Sequence, residues 1–184
     1  MALKSTICKV ELSVADIDRG YYRDHALTMA RHPSETDERM MVRLLAFALH
    51  AHEALQFGRG LSADDEPDLW RRDRTGMIEQ WIDVGLPEER EVRKACGRAA
   101  EVYILAYGGR AAGLWWQSAR ERLERQDRLA VSEVAVETSR ALVQLAGRSM
   151  RLQVTIQEQQ VLVTDGAVSL PVEIRTVKPM STAG

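Results

Sequence analysis

The stretch DEPDLWRRDRTGMIEQWIDVG, residues 65–85, has strand-like runs on both sides of a Thr75-Gly76 pair. Glycine adopts the positive backbone angle that a two-residue hairpin turn needs, so the stretch predicts a tight β-hairpin. In such a hairpin Arg74 pairs with Met77, and each residue further from the turn pairs in the same register. The hairpin is the starting point for the fold and for the site.

This register places two acidic residues, Asp68 and Asp83, opposite each other on one face of the hairpin. Directly opposed residues share a face, and like charges in that position are destabilising. Such a pair suggests either a cation between the carboxylates or one carboxyl group with a raised pKa. A three-residue loop would instead place Asp68 opposite Ile82, and both aspartates could also be solvated residues at strand ends. The same register pairs Arg72 with Glu79, Trp70 with Trp81 and Leu69 with Ile82.

The length and composition predict a single domain without a disulfide scaffold. The chain has 184 residues, 28% of them charged, and a formal net charge of -2, so it does not attract nucleic acid or an anionic membrane as a whole. Two cysteines, Cys8 and Cys96, stand far apart and favour a reduced, cytoplasmic setting. No apolar run is long enough for a membrane helix, and the first residues do not resemble a secretory signal.

Hydrophobic periodicity assigns the remaining elements. Residues 6–14 and 21–32 alternate like a second hairpin, and residues 35–54 have helical spacing after a capping-box-like Ser34 and Asp37. Further along, the patterns predict a helix in LPEEREVRKACGRA, a strand in EVYILAY, helices in AAGLWWQSARERLERQD and AVETSRALVQLAG, and C-terminal strands in MRLQVTIQ, VLV and VSLPVEI. We therefore expect one mixed α/β domain over residues 1–184, with residues 179–184 as a flexible tail.

Four stretches, YYRDHALTMARHPSET, DEPDLW, WIDVGLP and KACGRA, resemble the YaeQ family in order and spacing over almost the whole chain. EPDLW followed by WIDVG is also similar to the PD-(D/E)XK nuclease superfamily, to which that family belongs by fold. The resemblance implies a restriction-endonuclease-like mixed sheet flanked by helices, with additional antiparallel strands from both termini.

The resemblance also implies site residues. Asp68 matches the motif aspartate and Asp83 the second acidic position, whereas Gly85 stands where the motif has lysine. Lys94 on the following helix is the candidate replacement for that lysine, and Glu53 matches an extra glutamate that many members contribute. An alternative alignment takes Glu79 as the second acid and places Trp81 in the lysine slot.

These residues imply metal-assisted hydrolysis of phosphodiester bonds in nucleic acid. Asp68, Asp83 and Glu53 would hold Mg²⁺ or Mn²⁺, and the ion would activate a bound water. Lys94 would orient that water or stabilise the transition state.

A different class of function stays open. Lys94 can pair at helical spacing with Glu91, as a solvated surface lysine would. Gly85 in the lysine slot and the net negative charge favour a nonenzymatic protein that binds nucleic acid or a protein partner through the same cleft. Local basic stretches, RRDR and RKACGR, are solvated surfaces by default, and they would form a positive rim beside a metal site if they flank Asp68 and Asp83.

Overall fold

The computed structural model describes residues 3–59, 61 and 65–181, and the chain forms two compact units that interleave in sequence. Residues 1–51 and 137–173 form the first unit, and residues 52–136 and 174–184 form the second. Each unit contains a mixed β-sheet with helices, so the expected mixed α/β class is confirmed. One domain over the whole chain stays a prediction, and residues 182–184 of the expected tail lie outside the described part.

The first unit contains one mixed sheet and two helices. Its elements are β1 (Thr6–Asp16), β2 (Tyr21–Arg31), α1 (Asp37–Leu49), α4 (Val136–Leu142, whose first residue belongs to the second unit), a 3-10 turn (Val143–Leu145), β8 (Ser149–Gln157), β9 (Gln160–Thr164) and β10 (Ser169–Val172). The strands form a five-stranded sheet with the order β10-β9-β8-β1-β2. The predicted N-terminal hairpin is confirmed: β1 and β2 pair antiparallel without a register shift. β8 lies parallel to β1 on the other side, a pairing that periodicity does not reveal.

One face of this sheet is apolar and buried, as the alternation in β1 predicts. Leu12 and Val154 from the sheet pack with Met41 and Leu45 from α1. The opposite face carries exposed polar residues such as Lys9 and is the solvent side. Burial of one face therefore fixes the register of these strands.

Helix α1 is shorter than the predicted 35–54 helix. It begins after Thr36, whose side-chain oxygen accepts a hydrogen bond from the Arg39 backbone N–H, so Thr36 is the N-cap in place of Ser34. It ends at Leu49, before His50. Glu35 lies outside the helix and turns inward.

A buried ion pair joins the start of α1 to β2. The Glu35 carboxylate accepts from Arg43 Nη2 and from Arg39 Nη1, each at 2.7 Å. Arg43 Nη2 also donates to the backbone carbonyl of Ala30 at 3.1 Å. The side chains of Glu35 and Arg43 are each 2% exposed, so their charges depend on each other.

The second unit contains another mixed sheet and two helices. Its elements are β3 (Leu55–Phe57), β4 (Leu69–Arg72), β5 (Ile78–Val84), α2 (Glu89–Cys96), β6 (Ala99–Ala106), α3 (Arg110–Leu123), β7 (Leu129–Val134) and β11 (Ile174–Lys178). The strands form a six-stranded sheet with the order β11-β7-β6-β5-β4-β3. One core joins the sheet to Val92 of α2 and Leu123 of α3, and the sheet contributes Trp81, Val102 and Leu129.

Several elements differ from the predictions. Strands β3 and β7 were not expected, and the expected helix over 135–147 is a single short helix followed by the 3-10 turn. The run VSLPVEI divides into β10 and β11, which belong to different sheets. Cys8 and Cys96 are both free thiols, as predicted. Within the described ranges, no helix is long and apolar enough to cross a membrane.

Candidate functional site

Strands β4 and β5 form the predicted hairpin in the predicted register near its open end. Leu69 lies opposite Ile82 and Trp70 opposite Trp81. The Asp68 backbone N–H, one residue beyond the ladder, donates to the Asp83 carboxylate at 3.2 Å. The hairpin therefore brings the two aspartates together.

The tip of the hairpin differs from the prediction. Asp73 N–H donates to the Met77 carbonyl, so the loop has three residues, 74–76, and Arg74 does not pair with Met77. The Asp73 carboxylate accepts from the backbone N–H groups of Thr75 and Met77 and from the Thr75 hydroxyl, which stabilises this longer loop.

A β-bulge then restores the register. Arg72 lies opposite Ile78 instead of Glu79, whereas Arg71 lies opposite Gln80. Glu79 is thus the extra residue on its strand, and it forms an ion pair with Arg71 at 2.9 Å in place of the expected pair with Arg72. The extra loop residue and the bulge compensate each other, so the open end keeps the register of a two-residue turn.

The two carboxylates bind neighbouring backbone in a reciprocal arrangement. Asp68 is 5% exposed, and its Oδ2 accepts from the Val84 backbone N–H at 2.9 Å. Asp83 Oδ1 accepts from the Asp68 backbone N–H, and Asp83 Oδ2 accepts from the Trp81 indole N–H at 2.7 Å. Each aspartate therefore ties its own strand to the adjacent one.

The other residues implied by the nuclease resemblance lie in different surroundings. Lys94 is exposed on α2, and its ammonium group lies 3.8 Å from the Glu91 carboxylate. Glu53 lies in an exposed turn before β3. Gly85 has a φ of 93°, and its N–H donates to the Leu105 carbonyl as the strand ends.

The metal centre that the resemblance implies stays a prediction. Among residues 3–59, 61 and 65–181, no group of three or more His, Cys, Asp or Glu side chains is placed to hold a metal ion. Both oxygens of Asp83 accept hydrogen bonds, one of them from an indole at 2.7 Å. Glu53 lies in a turn outside the hairpin, and Lys94 pairs with Glu91 along its own helix.

Two tryptophans of the hairpin contact each other, and an arginine lies over each of them. The rings of Trp70 and Trp81 meet edge to face, with centroids 6.2 Å apart. The Arg72 guanidinium lies 4.3 Å from the Trp70 ring centroid, and the Arg98 guanidinium lies 5.0 Å from that of Trp81. Trp81 is buried, whereas both arginines are exposed. We call Trp70, Arg72, Trp81 and Arg98 the Trp–Arg cluster.

This cluster is a combination that sequence analysis identified in part. The register predicts the opposed tryptophans, whereas a positive rim from RRDR and RKACGR is predicted only if these stretches flank Asp68 and Asp83. That Arg72 and Arg98 stack on the indole rings depends on side-chain directions at the bulge and at the end of α2. No spacing rule contains that information.

A polar group on the opposite face of β5 and β6 is not among the predicted site residues. The Glu101 carboxylate accepts from the Tyr103 hydroxyl at 3.1 Å and from the Gln80 amide at 3.4 Å. Burial, followed by the charge of Glu101 and the hydrogen bond to it, raises the pKa of Tyr103 to about 12. The alternation of Gln80, Glu101 and Tyr103 with apolar residues was the available signal, since parallel pairing sets Gln80 beside Glu101.

The high pKa of Tyr103 predicts a dependence of stability on alkaline pH. Between pH 10 and 12 the folded protein keeps the phenol proton, whereas the unfolded chain loses it near the ordinary pKa of about 10. The folded state thus binds more protons, so the contribution of Tyr103 to stability is complete below pH 10 and declines as the pH rises to 12. Absorbance titration of the wild type and Tyr103→Phe should reveal one phenol that ionises near pH 12. Ionisation of that phenol near pH 10 would contradict the structural assignment.

The fold and the site define a mixed α/β protein with two sheets. Two aspartates join the strands of one hairpin in this protein, and an arginine lies over each of the two tryptophan rings of that hairpin. The family model of the YaeQ protein matches residues 1–174, and the chain belongs to the YaeQ family.

Relatives and solved structures agree with this assignment over nearly the full length. The YaeQ proteins of Escherichia coli K12 and Salmonella typhi are 47% and 46% identical over 174 residues, which is 95% of this chain and 96% of each relative. The crystal structure of the YaeQ protein from Xanthomonas axonopodis pv. citri has a TM-score of 0.91 and 48% identity, covering 95% of this chain and 98% of that one. The YaeQ structure from Pseudomonas syringae has a TM-score of 0.91 and 35% identity, covering 95% and 97%.

Proposed function

We propose that this protein binds nucleic acid at the Trp–Arg cluster without cleaving it, on a restriction-endonuclease-like scaffold whose aspartates have become structural. The observation that carries the proposal is the placement of Trp81. Its indole N–H holds Asp83 Oδ2 at 2.7 Å, and its ring supports the exposed Arg98 guanidinium. The Trp81 side chain thus binds the second acidic residue of the motif, Asp83, and also supports a cation.

The restriction-endonuclease-like assignment is supported by the arrangement of the hairpin. Asp68 precedes β4, Asp83 lies near the end of β5, and a helix and a parallel strand follow. These are the positions that the superfamily motif occupies. A cytoplasmic location accords with the two buried free thiols, Cys8 and Cys96.

The chemistry of the cluster suits a phosphate-bearing polymer. A guanidinium that lies over an indole loses little further freedom on binding. Arg98 Nη1 donates to the Asp65 carbonyl at 3.1 Å, and the other N–H groups and the outer face of each guanidinium are the parts that would meet a base or a phosphate. Arg72 and Arg98 both have this arrangement on one face. With a net charge of -2, attraction depends on this local patch, so binding should weaken strongly as salt increases.

Binding should be measured by fluorescence anisotropy with labelled single-stranded and duplex DNA and RNA at low salt, in the presence of a chelator. We expect wild-type binding to at least one oligonucleotide, and a loss of about tenfold in affinity for Arg72→Ala or Arg98→Ala, which corresponds to about 1.4 kcal/mol. The control is Arg175→Ala, an exposed arginine on β11 that pairs with Glu133 at 2.7 Å. Equal binding by all four proteins, or none by a folded wild type, would refute the proposal.

A Mg²⁺- or Mn²⁺-dependent nuclease is the second candidate function, favoured by the pairing of Asp68 with Asp83 at the ends of adjacent strands. The same oligonucleotides, together with branched DNA, should be incubated with each metal and with wild type, Asp83→Asn and Lys94→Ala. Metal-dependent cleavage that both variants lose would establish this candidate and overturn the noncatalytic proposal. We expect no cleavage above the level of the variants.

A further inference from the structure

The four sheet edges of the two units differ in how they are protected against pairing with another chain. Natural proteins use short strands, proline and bulges for this purpose. β3 has three residues, β10 has four and contains Pro171, and β11 has a register irregularity between Thr176 and Lys178. β2 has none of these features: it has eleven residues, lacks proline and glycine, and keeps one continuous register with β1.

The direction of the hydrogen bonds shows which residues of β2 face the open edge. The backbone N–H groups of Lys9 and Ile17 donate to the carbonyl groups of Arg148 and Ile156. The backbone groups of odd-numbered residues in β1 therefore point towards β8. Even-numbered residues of β1 therefore bond to β2, and their partners there are odd-numbered. The backbone groups of even-numbered β2 residues consequently point outward, which agrees with the bond from Arg43 to the Ala30 carbonyl.

The side chains of these outward residues also leave room for another strand. These side chains are all exposed and share the solvent face of the sheet; they are Tyr22, Asp24, Ala26, Thr28 and Ala30. Three of the five are small or β-branched, and no described strand lies beyond β2. Residues 22–28 thus form an accessible edge without a register shift.

We propose that β2 pairs antiparallel with β2 of a second copy of this chain, about a two-fold axis at Ala26. The two five-stranded sheets would then form one continuous sheet across the dimer. This inference does not depend on the proposed nucleic-acid binding.

Charge complementarity selects both the partner and the register. With Ala26 opposite its own copy, Asp24 lies opposite the second copy's Thr28. Within each chain the Lys9 ammonium bonds to the Thr28 hydroxyl at 3.2 Å, and the Ser13 hydroxyl donates to Asp24 Oδ1 at 2.6 Å. Each symmetric row across the interface therefore carries a carboxylate from one copy next to an ammonium from the other.

Neighbouring registers lack this balance. A two-residue shift of each strand in one direction opposes Asp24 with Asp24, and a shift in the other direction opposes the two Thr28 residues with their attached lysines. Like charges in directly opposed positions are unfavourable. In the central row, Glu11 beside Ala26 is neutralised within its own chain by Arg151 at 2.7 Å.

The first test is the mass of the full chain in solution by light scattering across a dilution series. We expect wild type to reach twice the 20.7 kDa of one chain. Asp24→Lys should weaken dimerisation by at least about tenfold, because each row would then hold two ammonium groups. Adding Lys9→Glu to Asp24→Lys should restore dimerisation, since the row again contains one charge of each sign.

Cysteine crosslinking tests the register independently. Opposed residues in a hydrogen-bonded antiparallel pair have Cα atoms about 5.5 Å apart, within disulfide range, so Ala26→Cys should form an oxidised dimer. Ala30→Cys is the matched control on the same edge; its two copies would lie far from the axis and should not crosslink. Monomeric wild type at every concentration, or equal crosslinking by both variants, would overturn the proposal.

Discussion

Replacing Glu35 with alanine should lower the free energy of unfolding by about 3–5 kcal/mol. The variant leaves Arg43, whose side chain is 2% exposed, charged and without its carboxylate partner in the interior. Arg39 loses its 2.7 Å bond to the same carboxylate. Urea unfolding followed by far-UV circular dichroism measures the effect, because all four tryptophans lie in the other unit.

The matched control for this prediction is Glu11→Ala in the same unit. Glu11 bonds Arg151 at the same 2.7 Å, but these side chains are 68% and 82% exposed. A solvent-exposed pair contributes at most about 1 kcal/mol, so this variant should unfold close to wild type. Equal losses from Glu35→Ala and Glu11→Ala would show that burial does not govern the strength of these pairs.

Asp68→Ala should destabilise the second unit by about 1–3 kcal/mol, the usual result of leaving a buried N–H group without an acceptor. The group in question is the backbone N–H of Val84, which donates to Asp68 Oδ2 at 2.9 Å in a buried bond. Asp68→Asn keeps an acceptor oxygen of nearly the same size and should unfold within about 0.5 kcal/mol of wild type. Tryptophan fluorescence during urea unfolding is the measurement.

The stabilities of Asp68→Ala and Asp68→Asn also test whether the Asp68 carboxylate has a structural role. If Asp68 serves structure, the order of stability is wild type, then Asn, then Ala. If Asp68→Ala were more stable than wild type, the structural role would be contradicted. That result is expected of a cation site, where removing one carboxylate relieves the repulsion between Asp68 and Asp83.

Those parts of the fold that follow from local periodicity are predictable from the amino-acid sequence. Alternation placed β1, β2 and β8, and the register of β4 with β5 brought Asp68 to Asp83. The prediction failed at the hairpin tip, where the Asp73 carboxylate bonds three groups of the loop and stabilises an extra residue. The bulge at Glu79 offsets the longer loop, so Asp68 and Asp83 meet as predicted although the predicted turn is wrong.

Other features cannot be predicted from a local sequence pattern, because they depend on contacts with residues distant in the chain. β7 has alternating buried residues, but its strand identity depends on parallel pairing with β6. The end of VSLPVEI crosses to a different sheet after Val172. The direction of Lys94 depends on the rotation of α2, whose apolar face packs Val92 into the core and leaves Lys94 beside Glu91.

The interleaving of the two units has a consequence for synthesis of the chain on the ribosome. Strand β1 pairs with β8, and Lys9 lies opposite Ser149, so the two are separated by 140 residues (149 minus 9). At about 5–20 residues per second, the first hairpin waits roughly 7–28 s for its neighbour. During that time the apolar face of β1 lacks β8 beside it, and β11 completes the other sheet later still. The nascent hairpin is therefore the segment in which we expect chaperone binding and premature self-association to occur.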